Sequence, residues 1–180
     1  MFDSCLGGSG SSWESGEIGQ ILSRKTNLSS RFISDYDSLL KVLEQLRVMG
    51  RVIVQTSGVF DILHSGHVRY LEEASKLGDV LLVGVDVDEW VRERKGKDRP
   101  VISFKERVEI LAHLRCVGIL TRQLGDLHKI ILPDILVASE STGDLTEEAK
   151  IEMREYCGRL VVFPAQSEIH STDFIAKMKG

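Results

Sequence analysis

Residues 59–67 read VFDILHSGH. An apolar run closes on Asp61, and His64, Ser65, Gly66 and His67 follow shortly after. Two imidazoles on either side of a glycine can donate to one anion, and glycines at 58 and 66 let the backbone come close to it. The phosphate-cradling pattern GxxxxGK[ST] is absent, so this would be a different way of holding a triphosphate. Two blander readings stand beside it. The pair could be surface histidines in a helix-start turn, or part of a metal site, although no third ligand lies at a suggestive spacing.

The elements around the turn decide between these readings. Leu39, Leu43 and Leu46 give a helical stripe from Ser38 to the stop at Gly50. RVIVQ (51–55) reads as a buried strand, and HVRYLEEASKLG as a helix beginning near Gly66 and stopped by Gly78. DVLLVGVD (79–86) is a strand with both faces covered. Residues 87–102 read as a charged loop, after which Ser103 and Glu106 form a capping box for the next helix. VGIL (117–120), ILVAS (135–139) and RLVVF (159–163) complete five strands. Between them QLGDLHKIIL is a helix ended by Pro133, and Asp144 and Glu147 cap another running to Gly158. Ser171 or Thr172 caps a terminal helix. Strand and helix alternate, which predicts an α/β fold: a doubly wound sheet of about five parallel strands with helices on both faces. Ligands of such sheets bind beyond the C-terminal strand ends. The HSGH turn lies there, at the start of a helix whose free N–H groups favour phosphate.

Composition narrows the classes. The chain has 180 residues, 42% hydrophobic, with a formal net charge of -4. That supports one domain with a core and gives no basic face for nucleic acid or an anionic membrane. No stretch has the length of a membrane span, and no secretory signal opens the chain. Cys5, Cys116 and Cys157 are scattered and lack a CxxC spacing, which fits a reducing cytoplasm. Residues 1–32 are expected to be a flexible Gly/Ser-rich tail, and 33–180 the folded domain.

At this point the residues carry a resemblance. HSGH resembles the HxGH signature of the nucleotidyltransferase superfamily, which includes cytidylyltransferases and adenylyltransferases. SGVFDILHSGHVRYLEEASKLGDVLLVGV resembles that family's first strand, turn, helix and second strand almost continuously. KGKDRPVISFKERVEILAHLRCV is similar to the adenylyltransferase domain of bacterial ADP-heptose synthase. The resemblance implies a Rossmann-like fold and a reaction in which a phosphate oxygen attacks the α-phosphorus of a nucleoside triphosphate and pyrophosphate leaves. It implies magnesium on the phosphates, a phosphorylated small molecule as acceptor and a homodimer.

Carried over by position, His64 and His67 would bond the triphosphate and its transition state. Lys95 would close over the phosphates from RERKGKDR (92–99), a run with five basic and two acidic residues. Ser57, Gly58, Val59, Phe60 and Gly66 would line the nucleotide, and Asp61 the acceptor. Arg99 is a further phosphate candidate. Arg107 is either another or a structural ion-pair partner. Ser171 and Thr172 would hold the β- and γ-phosphates. Arg92 and Lys97 read as solvated.

Three positions depart from the family pattern. Ser57-Gly58-Val59 replaces asparagine-glycine-cysteine, Asp173 replaces a threonine, and ASESTGD (138–144) replaces a lysine-glycine-glycine-aspartate-tyrosine stretch. The expectation is therefore transfer of an adenylyl group to a sugar 1-phosphate of heptose-phosphate type. The rivals are a cytidylyltransferase acting on an alcohol phosphate such as glycerol 3-phosphate, and a non-catalytic nucleotide-binding protein on the same fold.

The tail generates the first prediction. Residues 1–30 have too little apolar side chain to bury, so their removal is expected to leave melting temperature and activity unchanged. A clear fall in either would show that the segment packs on the domain or completes a site.

Overall fold

A computed structural model describes residues 31–140 and 145–164. Its elements run α1 (Tyr36–Val48), β1 (Ile53–Gly58), α2 (Ser65–Ser75), β2 (Val80–Asp86), α3 (Asp88–Lys95), α4 (Phe104–Ala112), β3 (Ile119–Gln123), α5 (Leu127–Ile131), β4 (Ile135–Ser139), α6 (Glu147–Glu155) and β5 (Arg159–Phe163). The five strands are ordered β3-β2-β1-β4-β5 and every pair is parallel. The chain walks outward from β1 to β3, then returns to β4 on the other side of β1. Strand order thus reverses between β1 and β4, and the turn leaving β1 opens onto that crevice.

The strands bury both faces because helices cover both. On one face α2 and α4 pack Tyr70, Leu71, Val108 and Leu111 against Val54, Val83, Val85 and Val137. On the other, α1 and α5 pack Leu39, Leu43, Leu46 and Ile131 against Ile53, Val80, Leu82 and Ile119. At about 25 cal/mol per Å² of apolar surface, these two layers supply the main driving force of the fold.

Several element boundaries differ from the sequence reading. Helix α1 starts earlier because Asp35 caps it, its carboxylate accepting from the Ser38 N–H at 2.8 Å. Strand β1 begins two residues later than expected and runs on to Gly58. Strand β3 runs on to Gln123, and α5 shrinks to one turn after Gly125, whose φ of +75° stops a helix from starting earlier. Thr146, not Asp144, caps α6, accepting from the Ala149 N–H at 3.2 Å. The expected caps Asp144, Ser171 and Thr172 lie outside the described residues, as does Asp173.

The largest correction concerns residues 87–102, read as a loop. Residues 88–95 are helix α3. Asp88 and Glu89 stand in its first turn and Arg92, Arg94 and Lys95 in its last, which complements the helix dipole, and Val91 is buried beneath it.

Arg31 and Phe32 are also held against the domain. Arg31 is 3% exposed, and its guanidinium donates to the carbonyls of Ala112, Leu114 and Val117 at 2.8, 2.9 and 3.0 Å. Phe32 bridges to Leu120 in parallel, and the Ile33 N–H donates to the Leu120 carbonyl at 2.9 Å. Phe32 therefore makes a single bridge at the free edge of β3, where edge carbonyls and N–H groups need partners.

Candidate active site

The site is built on the turn from β1 into α2. His64 is the N-cap of α2, in extended conformation with φ −135° and ψ 172°. Its Nδ1 accepts from the Gly66 N–H at 3.2 Å. The His64 N–H donates in turn to Nδ1 of His67 at 3.4 Å. The two rings lie 3.9 Å apart, tilted by 34°. This is a capping box made from imidazoles, where serine and glutamate are usual. An accepting Nδ1 carries no proton, so each neutral ring holds its hydrogen on Nε2. The reciprocal cap thus sets the tautomer of both rings and makes each Nε2–H a donor. The first turn of α2 carries no acidic residue, so nothing in it offsets the partial positive charge there.

Helix α2 is held firmly beneath the turn. The Tyr70 hydroxyl donates to the Val137 carbonyl of β4 at 3.1 Å and lies 2.7 Å from Thr56 Oγ1 of β1. Burial pushes this phenol up to about 12, which keeps it a neutral donor across the ordinary pH range.

Phe60 takes the left-handed region with φ +49°. For a residue with a bulky side chain this costs on the order of 1–2 kcal/mol. Its ring meets His67 edge-on at 5.6 Å. A Cβ on Gly58 would lie 3.3 Å from the same ring. A side chain at position 58 would therefore press on the Phe60 ring, which would have to give by a few tenths of an ångström. Ser57 is half-buried just before it, and Val59 presents its carbonyl inward.

Two charged residues hold the turn against the segment after α3. Asp61 is 2% exposed, and both its oxygens are spent. They accept from the N–H groups of Val101 and Ile102 at 2.9 and 2.8 Å and from Arg99 Nε at 2.7 Å. Asp61 thus positions the loop that follows α3, and Arg99 is tied to the same clamp. Arg107 resolves the other open alternative toward the structural ion pair. Its guanidinium is fully buried and donates to the carbonyls of Val59, Asp86 (2.8 Å) and Ile102 (3.0 Å), and to the Asp88 carboxylate at 2.7 Å. One side chain so joins the ends of β1 and β2, the start of α3 and the loop before α4.

Lys95 ends α3 near this cluster. Crowding of its amine by surrounding atoms, then the positive charges of Arg99 and Arg94, push the ammonium below the usual lysine value. Asp86, at the end of β2, faces Arg94 at 3.7 Å. Burial raises its carboxyl above the ordinary range, and Arg94, Arg107 and Lys95 pull it partly back. Arg94 also lies over the Trp90 ring at 5.9 Å. Asp86, Asp88 and Trp90 belong to the DVDEW stretch (86–90) expected to wall the base pocket, while Arg94 was not singled out as a site residue. The signal available was VDEWVRERK, with acids first, bases last and valines four apart.

A model of the family described as cytidylyltransferase-like matches residues 56–176. The chain is 39% identical over 146 residues to the bifunctional protein HldE of Desulfatibacillum aliphaticivorans, covering 79% of this chain and 30% of that protein. It is 36% identical to HldE of Campylobacter fetus, covering 97% of this chain and 37% of that one. The chain thus spans about a third of the length of these relatives. Among solved structures, the lipopolysaccharide core biosynthesis protein of Thermoplasma volcanium is 33% identical with a TM-score of 0.54, over 63% of this chain and 97% of that one. Pantoate-beta-alanine ligase from Francisella tularensis also has a TM-score of 0.54, over 83% of this chain and 77% of that one, but at 14% identity, a likeness of fold alone.

Asp86 yields a prediction with a definite sign. Its raised value means that ionisation in the folded state is disfavoured, so stability is lost as pH rises through the folded value. Asp86→Asn is expected to melt above wild type at pH 7. The gain should shrink below about pH 4, where the carboxyl is protonated in folded and unfolded chains alike. A variant that melts lower at neutral pH would show that the pairing with Arg94 outweighs the burial.

Proposed function

Because the chain belongs to the cytidylyltransferase-like family, we propose that it is a nucleotidyltransferase. It moves a nucleotidyl group from a nucleoside triphosphate to a phosphorylated small molecule and releases pyrophosphate. The observation that carries this reading is the reciprocal histidine cap. It puts two fixed Nε2–H donors at a helix N-terminus, at the point where strand order reverses. Charge that develops on the α-phosphate and the leaving pyrophosphate meets donors already in place, with no rearrangement at the moment of reaction. Lys95 and Arg94 add positive charge from the end of α3. The protein positions and stabilises, and no covalent intermediate on the chain is needed.

Magnesium enters as the partner of the triphosphate. Among the described residues no group of three or more histidines, cysteines or carboxylates could hold a metal ion. Phosphate oxygens are its natural ligands here, and when bound it neutralises their charge. The transferred group is adenylyl and the acceptor a sugar 1-phosphate of heptose-phosphate type. The likeness of KGKDRPVISFKERVEILAHLRCV to the heptose enzymes supports this, as do the HldE relatives. The same reading takes no nucleic acid as partner. No helix among the described residues is long and apolar enough to cross a membrane.

Pyrophosphate release across the four nucleoside triphosphates, against a panel of sugar 1-phosphates and alcohol phosphates, tests the reading. Release with ATP and a sugar 1-phosphate is expected. Release with CTP and glycerol 3-phosphate would move the chain to the cytidylyl branch, and release with no pair would contradict transfer altogether. In the productive pair, His64→Asn separates cap from catalysis, since asparagine also caps helices. It is expected to melt near wild type while turnover falls about 100- to 1,000-fold. Turnover near wild type would remove the imidazole from the mechanism.

A further inference from the structure

The strands of the sheet do not pair evenly. β1 runs beside β2 through six residues, as far as Gly58 opposite Val85. β4 runs beside β5 through five, as far as Ser139 opposite Phe163. Between β1 and β4 only two pairs form, Val54 with Ile135 and Gln55 with Leu136. The central seam of the sheet therefore opens beyond Gln55, at the strand ends that carry the histidine turn.

The register identifies the first bond that is missing. The next pair would set Thr56 opposite Val137, with the Ser57 N–H donating to the Val137 carbonyl. Instead that carbonyl accepts from the Tyr70 hydroxyl at 3.1 Å, and the same hydroxyl lies 2.7 Å from Thr56 Oγ1. One hydroxyl so bridges the two strands at the point where they part. Thr56 and Tyr70 are both buried, so bulk water does not compete for these bonds.

Packing does not require that hydroxyl. The Tyr70 ring meets Phe163 edge-on at 5.8 Å and 88°, and a phenylalanine would make the same contact. A buried hydroxyl offsets its desolvation only through the bonds it makes. The bond to Val137 takes up the carbonyl that would otherwise continue the ladder. Tyr70 also belongs to the helix that His64 caps, so the helix bearing the histidine turn is pinned to both lips of the opening.

We propose that Tyr70 is a positioning residue for nucleotide binding: its hydroxyl props the seam between β1 and β4 open, and the nucleoside part of a triphosphate held at the histidine turn takes the room this leaves. Without the hydroxyl, the Val137 carbonyl is free to accept from the Ser57 N–H, and the seam closes toward the site. The inference rests on the transfer reading for the ligand, and on the strand pairing for the prop.

Tyr70→Phe in the full chain tests it, since the ring stays and only the hydroxyl goes. With no ligand present, hydrogen exchange at the Ser57 amide is expected to slow about tenfold or more as that N–H gains a partner. Affinity for a non-hydrolysable ATP analogue with magnesium, read by calorimetry, is expected to fall about tenfold or more. Ile119→Val, a core change on the other face of the sheet, is the control for lost stability: it is expected to melt lower and to bind the analogue as wild type does. Thr56→Val removes one of the two bonds and is expected to weaken the analogue by a smaller factor; it decides the matter if Tyr70→Phe does not fold. The proposal is overturned if the deciding variant binds the analogue like wild type, or if Ser57 exchanges no more slowly in folded Tyr70→Phe. Slower exchange in Tyr70→Phe, in a chain whose wild type binds no analogue, would uphold the prop and sink the transfer reading instead.

Discussion

The start of helix α2 imposes the constraint from which the site follows. A helix begins with N–H groups that have no partner within it, and this one begins where a buried strand must turn sharply outward. Most chains answer with serine, aspartate or asparagine. Here two imidazoles answer for each other, His64 accepting from the helix and His67 accepting from His64. One arrangement thereby caps the helix, fixes both ring tautomers and keeps carboxylates out of the first turn. The left-handed backbone at Phe60 belongs to the same turn, and the contacts that hold its neighbours Val59 and Asp61 come from outside it.

Those contacts come from charges buried inside the protein. Arg107 and Asp61 are deeply buried, which is tolerable only because nearly every donor and acceptor they offer is matched. Most of their partners are backbone groups, and they lie on segments far apart in sequence. The buried charges therefore serve as joints between the ends of β1 and β2, helix α3 and the loop before α4. The basic residues at the end of α3 stand beside the histidine turn because these joints leave α3 no other place. Function is divided between exposed cations that can meet a phosphate and buried ones that hold the geometry.

This division explains what was legible in the sequence. The parallel sheet was readable because its strands carry uninterrupted apolar runs, and the turn because two histidines at that point of an α/β fold have few other uses. The clamp made by Asp61 was not readable, and the sequence offered the ion pair of Arg107 only as one of two readings. A charged side chain that binds a phosphate and one that binds a backbone carbonyl look alike in one dimension, and only burial tells them apart. Helix α3 was missed because its charge density resembles a solvated loop, although its charges are ordered along the helix dipole.

The account turns on the claim that His64 and His67 each accept at Nδ1 and carry their proton on Nε2. Long-range proton–nitrogen correlation spectra of the nitrogen-15-labelled chain at neutral pH report the tautomer of each ring directly. The account predicts that both rings are neutral and protonated at Nε2 before any nucleotide is added, and that both Nε2–H signals shift when a non-hydrolysable triphosphate and magnesium are supplied. A proton on Nδ1 of either ring, or rapid exchange between tautomers, would contradict the reciprocal cap and the preorganised site built upon it.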